Sequence, residues 1–339
     1  MKSIARQLTA VGMLLTMGGW LIACGSSGNS GSAPGTVDGQ TAQNLSSKQI
    51  ESSSTQTATE TETRTYTDHA GHMVSIPVQP QRIVFHGETV GDLIALGIQP
   101  IASASNFIDG TVFADKTGDI ADLGFPINIE KTTELEPDLI LYANNDEKIY
   151  QSLSQIAPTL IFNTFTPLDQ RILELGDITG YKQQAEQWLA SYRERTERMW
   201  DKLHDAGVKE GETATVLTYY PGDRLFVMLS TGLSQILYEK QGFKAPNPVQ
   251  KLLDTGKGFE QISMELLDQF AGDRIFILTP VPEEAKASTE AMLQSPLWQQ
   301  LPAVKNGHVY MIDIMKSSSD AATREWLLDY LPQLLTEAE

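Results

Sequence analysis

YKQQAEQWLASYRERTERMWDKLHD, residues 181–205, is the stretch around which the rest of the chain is organised. Apolar residues recur in steps of three and four at Tyr181, Ala185, Trp188, Leu189, Tyr192, Met199 and Leu203, which puts them on one face of an α-helix. Lys182, Gln184, Glu186, Arg193, Glu197 and Lys202 occupy the opposite face. No proline or glycine breaks the run, and Gly180 and Gly207 stand at its ends as stop signals. At 1.5 Å per residue the helix is roughly 36 Å long, about the diameter of a small domain. Alone it reads as an ordinary amphipathic surface helix. It reads as a strut because the sequence on its two sides has one layout twice.

On the amino-terminal side, residues 67–77 read as two short strands around an Asp/Gly turn, residues 81–86 as a buried strand, residues 87–96 as a helix ending at Gly97, and Pro100–Ser103 as the start of the next strand. A short helix ends in Glu134–Asp138 and leads into the strand LILY at 139–142, and Ile156–Pro158 precedes a strand at 159–162. Beyond Gly211 the alternation restarts: a strand at 213–220, a turn at 221–223, a strand at 224–229, a helix from Ser234, then a helix at 262–270 feeding a strand at 274–278. Glu130 precedes Asp138 by eight residues, and Glu265 precedes Asp273 by eight, each Asp opening an apolar strand. Helices alternating with short apolar strands indicate parallel α/β sheets, and ligands meet such sheets at the carboxyl ends of their strands. The 276 residues from 64 to 339 exceed what one core usually organises, so two lobes are expected.

The amino terminus carries no fold signal. Lys2 and Arg6 precede an apolar run broken by Gly12, Gly18 and Gly19, which suits a secretory signal peptide at 1–23 better than a membrane span. The run ends in Leu21-Ile22-Ala23-Cys24, which resembles a bacterial lipobox and makes Cys24 the lipidated first mature residue. Cys24 is the sole cysteine, so the chain has no intramolecular disulfide. Residues 24–63 are rich in Ser, Thr, Gly, Gln and Asn and read as a flexible tether. Loss of the leader takes the net charge from −18 to −20, which argues against nucleic acid and anionic membrane surfaces as partners.

VSIPVQPQRIV from Val74, GDLIALGIQPIA from Gly91, IEKTTELEPDLILYA from Ile129, IAPTLIF from Ile156 and SPLWQQLPAVKNGHVYMID from Ser295 span nearly the whole of 66–335. In that order and spacing they resemble the siderophore-type substrate-binding proteins of bacterial ABC importers. The resemblance implies two Rossmann-like lobes with parallel sheets, 64–180 and 207–339, joined by the helix at 181–206. It implies a monomer that binds ferric siderophores, haem or corrinoids between the lobes and hands them to a permease with a cytoplasmic ATPase. It also implies that one exposed Glu per lobe docks on permease arginines, and Glu130 and Glu265 match those positions. Read from the sequence alone, both are acids favoured by a helix N-terminus.

The strand ends present His86, Asn106, Phe107, Tyr142, Asn144 and Phe165 in the first lobe, and Tyr219, Tyr220, Arg224 and Met315 in the second. Aromatics dominate, and Arg224 and Lys316 are the cations. Such walls suit a neutral or cationic chelate, hence a hydroxamate rather than a polyanionic catecholate. QILYEKQGFKAP from Gln235 resembles the hydroxamate-binding branch, whose members carry Trp-Gly-Arg-Gly just upstream; Ser230-Thr231-Gly232-Leu233 stands there instead. Tyr142 and Tyr219 also read as core residues, His86 as a capped loop histidine ahead of a haem ligand, and Met315 as core. His69 and His72 suit a turn rather than a metal site, and the histidines at 69, 72, 86, 204 and 308 are too scattered for a zinc or manganese carrier. No G-x-S-x-G, H-E-x-x-H, Walker loop or dinucleotide fingerprint occurs, so no enzyme is expected. The expected location is the outer face of the cell membrane, through the lipid, in a Gram-positive envelope. The alternative function is haem or corrinoid binding by the same fold.

Overall fold

The computed structural model describes residues 62–336. The leader at 1–23, Cys24 and nearly all of the tether at 24–63 lie outside the described residues. Strands β1 (Thr63–Thr67) and β2 (Met73–Pro77) pair as an antiparallel hairpin. The first lobe's sheet contains β3 (Ile83–His86), β4 (Ala102–Ser103), β5 (Ala121–Asp122), β6 (Leu139–Tyr142) and β7 (Thr159–Ile161). Its order is β5-β4-β3-β6-β7, and every pairing is parallel. Every residue of β3 and β6 is buried, as strands covered on both faces require.

The second lobe's sheet contains β8 (Ala214–Tyr220), β9 (Arg224–Met228), β10 (Phe259–Ile262), β11 (Arg274–Thr279) and β12 (Val309–Asp313), in the order β10-β9-β8-β11-β12. Strand β9 alone runs against its neighbours, because the turn at Pro221–Asp223 folds it straight back on β8. Ile262, expected to open a helix, instead ends β10, since its ladder to β9 takes up the backbone of 259–262. Helix resumes only as a turn at Met264–Leu266 and a short helix at Leu267–Phe270. The helix expected at 87–96 is likewise confined to Gly91–Ala95. A Cβ on Gly87 would collide with Ala143, so those residues hug the next strand before helix begins.

The long helix runs from Lys182 to Asp205. No side chain caps its start, so its stability comes from the face it buries: Ala185, Leu189, Tyr192, Thr196, Met199, Trp200 and Leu203. Lys202 and His204 occupy the last turn, where cations suit the helix dipole. Gly180 closes the preceding helix, Leu168–Thr179, in the left-handed region at φ 79°, and a Cβ there would crowd the Val78 carbonyl. The buried face belongs to one apolar core that includes Phe85 and Leu141 of the first sheet and Val216 and Phe276 of the second. Separate cores fill the far faces of the two sheets, around Ile140 and Leu153 in one and Leu217 and Trp298 in the other.

The final helix, Ala321–Thr336, returns to the first lobe. Asp92 and Arg171 form a fully buried ion pair at 2.5 Å, and Arg171 also donates to the Ser319 carbonyl at 2.7 Å. The Ala321 N–H donates to Asp92 at 2.7 Å, while Asp320 caps the helix by accepting from the Thr323 N–H and hydroxyl, each at 2.8 Å. Gly91 has to be glycine because any Cβ would strike the Asp320 carboxylate. Burial, together with neighbouring Asp92, lifts the Asp320 carboxyl to about 6.

The spacing echo has a structural counterpart. Asp138, just before β6, accepts from the backbone N–H groups of Gln81 and Arg82 at 2.7 and 2.9 Å, which fixes the entry of β3. Asp273, just before β11, accepts from the Thr213 N–H and hydroxyl at 2.8 and 2.7 Å, which fixes the entry of β8. Those hydrogen bonds hold the Asp273 carboxyl below the usual carboxylate range.

Candidate ligand-binding site

The first lobe presents a cluster of rings at the carboxyl ends of β3 and β6. His86 ends β3 and Tyr142 ends β6, their ring centroids 6.0 Å apart. Phe107 meets His86 edge-on at 5.6 Å, and Phe125 lies parallel to His86 at 5.9 Å. The Phe125–Pro126 peptide is cis, and Phe125 is 65% exposed. The His86 Nε2–H donates to the Gly124 carbonyl at 2.9 Å, and burial holds the imidazole below its usual pKa. His86 is therefore a neutral wall residue with one nitrogen committed. Asp122 sets the other rings: one carboxylate oxygen accepts from the Ser105 and Gly124 N–H groups, both at 2.9 Å, and so orders the turns that carry Phe107 and Phe125. These two bonds lower the Asp122 pKa.

The second lobe offers a strip on one face of β8, β9 and β10. Tyr220 meets Phe226 edge-on at 6.1 Å, Phe226 meets Phe259 at 6.0 Å, and the Arg224 guanidinium lies 5.6 Å from the Tyr220 ring centroid. Arg224 Nε donates to the Pro221 carbonyl at 3.0 Å, which fixes the guanidinium beside the turn. Phe259 is 50% exposed.

Of the sequence-predicted site residues, His86, Phe107 and Tyr142 come together in the first cluster, and Tyr220 and Arg224 in the strip. Asn106 is exposed on the Phe107 turn. Asn144 is exposed beyond β6, where its Oδ1 accepts from the Asp146 N–H at 3.1 Å. Met315 packs against Gly110 of the first lobe. Phe165 leaves both clusters and lies against Gly258. Tyr219 points to the opposite sheet face because side chains alternate along β8. It joins that face's core and donates to Asp223 at 2.7 Å, and burial with Asp223 pushes its pKa up to about 12. Phe125, Phe226 and Phe259 were not legible: Phe125 sits in an aperiodic loop, and RLFVM reads as uniformly buried. His69 pairs with Glu174 and His72 with Asp68, each at 2.9 Å, so both serve the hairpin's attachment.

Residues 83–314, about two thirds of the chain, match the family model for periplasmic binding proteins. The chain belongs to that family. As a periplasmic binding protein it is a binder and not an enzyme. It is 30% identical over 281 residues to the iron(3+)-hydroxamate-binding protein FhuD of Bacillus subtilis, covering 80% of this chain and 86% of that protein. It is 29% identical over 316 residues to the iron(3+)-hydroxamate-binding protein YxeB of the same organism, covering 91% and 89%. Among solved structures it resembles the FhuD-fold component of a Fep/Fec-like ferrichrome ABC transporter from B. subtilis. That likeness has a TM-score of 0.69 and 27% identity, and covers 80% of this chain and 100% of that one. Two α/β lobes on one long helix are the architecture of this group of periplasmic binding proteins.

Glu130 and Glu265 occupy the same local position in the two lobes. Each is exposed and lies second after a polar cap: the Asn128 side chain accepts from the Lys131 N–H, and the Ser263 hydroxyl from the Glu265 N–H.

Proposed function

We propose that this chain captures an iron(III)-siderophore complex of the hydroxamate type outside the cell and delivers it to an ABC permease. The observation that carries the ligand class is the make-up of the two walls: seven aromatic or imidazole rings with Arg224 as their guanidinium. A polyanionic catecholate complex calls for several cations, whereas a neutral or cationic chelate lies against rings. The hydroxamate names of the FhuD and YxeB relatives support the same class. In this reading the chelate sits between the first lobe's cluster and the second lobe's strip. Asn106, Asn144 and Met315 line its margin. A lipid on Cys24 holds the protein at the membrane's outer face, and 24–63 is the tether. The protein works as a monomer. The acids at 130 and 265 engage basic pockets on the permease, which sets orientation and encounter rate more than affinity.

Tryptophan fluorescence of the protein titrated with ferrioxamine, ferrichrome, a ferric catecholate, ferric citrate, haem and a corrinoid tests this. Saturable quenching by a hydroxamate complex without quenching by the catecholate is expected. Tight catecholate binding overturns the charge argument, and a haem absorbance shift favours the haem reading.

A further inference from the structure

Phe165 belongs to neither ring cluster and to none of the three apolar cores, and it is 54% exposed. Its turn is nevertheless held on both sides. The Phe165 N–H donates to Asn163 Oδ1 at 3.0 Å, and the buried Arg171 guanidinium donates to the Thr164 and Thr166 carbonyls at 3.1 and 2.8 Å. The same guanidinium holds the Ser319 carbonyl, so the turn is built into the junction of the first lobe with the final helix. A ring fixed outside any core, on a turn tied this firmly, is a prong.

Gly258 of the second lobe receives it. The Leu229 N–H donates to the Gly258 carbonyl at 2.8 Å and the Ser230 hydroxyl to the Lys257 carbonyl at 2.7 Å, which ties this backbone to the residues that follow β9. A Cβ on Gly258 would lie 3.0 and 3.3 Å from two carbons of the Phe165 ring, inside the roughly 3.5–4.0 Å at which carbons pack best. Gly258 is not in the left-handed region, so room for the ring, and not backbone conformation, is what requires glycine. It directly precedes Phe259, the end ring of the second lobe's strip. The lobes also touch at Met315 and Gly110, but there a Cβ would meet Met315 at 3.5 Å, an ordinary contact with a flexible side chain. The tight contact beside the proposed walls is Phe165 on Gly258.

We propose that Phe165 is a positioning residue: resting on Gly258, it sets the spacing of the two lobes and hence of the two ring walls. Its bearing on affinity rests on the reading that the chelate lies between those walls, and its bearing on spacing does not.

The test is a cycle of Gly258→Val, Phe165→Ala and the double variant in the full chain, read in two ways. The first readout is the distance between nitroxides at Gln170→Cys and Asp254→Cys, exposed residues of the first and second lobes, in a Cys24→Ser background. Gly258→Val should lengthen the mean distance by about 1 Å or more, since its side chain must clear the ring, and Phe165→Ala should cancel that lengthening. The second readout is the affinity for ferrioxamine. Gly258→Val should weaken it at least fivefold, and the double variant should return to within twofold of Phe165→Ala alone. Gly258→Ala should give smaller changes in the same direction, and it decides the matter if Gly258→Val does not fold. An unchanged distance in either Gly258 variant that folds, or a lengthening that Phe165→Ala leaves in place, overturns the proposal. Lengthening and rescue in a protein that binds no ferrioxamine would uphold the stop and strike the chelate reading instead.

Discussion

The two lobes share a frame and differ in what they show a ligand. Each has an aspartate that fixes the entry of a neighbouring strand, Asp138 on β3 and Asp273 on β8, and an exposed glutamate eight residues earlier. The first lobe's sheet is wholly parallel, so the rings of its proposed ligand wall are carried at strand ends and on turns ordered by Asp122. In the second, β9 runs back along β8, and Tyr220, Phe226 and Phe259 stand as a ladder across three strands with Arg224 at one end. One proposed wall is therefore built from strand ends and turns and the other from a sheet face. Parts repeated between lobes hold the frame, and parts that differ form the proposed ligand walls.

The comparison breaks most violently where the lobes are tied together. Asp92→Ala strands the Arg171 guanidinium in a fully buried site, and a loss of about 3–5 kcal/mol in denaturant unfolding is expected. A loss below about 1 kcal/mol would mean that the strap to Ser319 and Ala321 is not a structural junction.

Asp320 gives the next effect, about 3 kcal/mol and dependent on pH. Its folded pKa, about 6, lies above the ordinary aspartate value near 4. Between those values the folded chain binds more protons than the unfolded one, so this group's contribution falls as pH rises from about 4 to 6. Stability curves of wild type and Asp320→Asn should differ in slope across that window, and parallel curves would remove Asp320 from the junction. Asp273 has the opposite sign. Its lowered pKa supplies stability that is present above about pH 4 and lost as pH falls through the depressed value.

The repeated frame is sharpened by Asp138→Ala and Asp273→Ala. Each leaves two donors without their acceptor, so each should cost about 1–3 kcal/mol, and costs that differ severalfold would make the echo one of spacing only.

Much of the frame was legible in the sequence because periodicity and spacing are local signals. The uninterrupted helical face of 182–205, the LILY strand and the Glu-to-Asp spacing needed no distant partner. The reversal of β9 was signalled by Pro221-Gly222-Asp223, but β10 was not, because residues 259–262 become a strand only by pairing with β9. Half of the ring pattern was legible for the same reason: His86 and Tyr142 end obvious strands. Phe125 is positioned by Asp122 through backbone N–H groups, a relation that no side-chain pattern records, and Tyr219 exchanged sides with its neighbour by the alternation of a strand whose phase was open.

At the two walls, Phe125→Ala and Phe259→Ala should each weaken chelate binding about tenfold, roughly 1.4 kcal/mol, and Arg224→Ala about fivefold. Equal losses from both phenylalanines would place the chelate between the walls, and loss from one alone would seat it on that lobe. Glu130→Ala and Glu265→Ala should leave chelate affinity unchanged while lowering uptake in cells. A change in affinity would move either acid from the proposed permease docking into the proposed ligand site.

The return of the helix at 321–336 to the first lobe has a consequence in time. A chain made from its amino end has β3 and β6 available early, but the Ala321 N–H that Asp92 holds and the Ser319 carbonyl that Arg171 holds are made some 150 residues after Arg171. At about 5–20 residues per second, that interval is of order ten seconds, during which the first lobe lacks its last layer. Under the proposed export across the membrane, a first lobe that still waits for its last layer is one that has not yet closed when its own residues are complete.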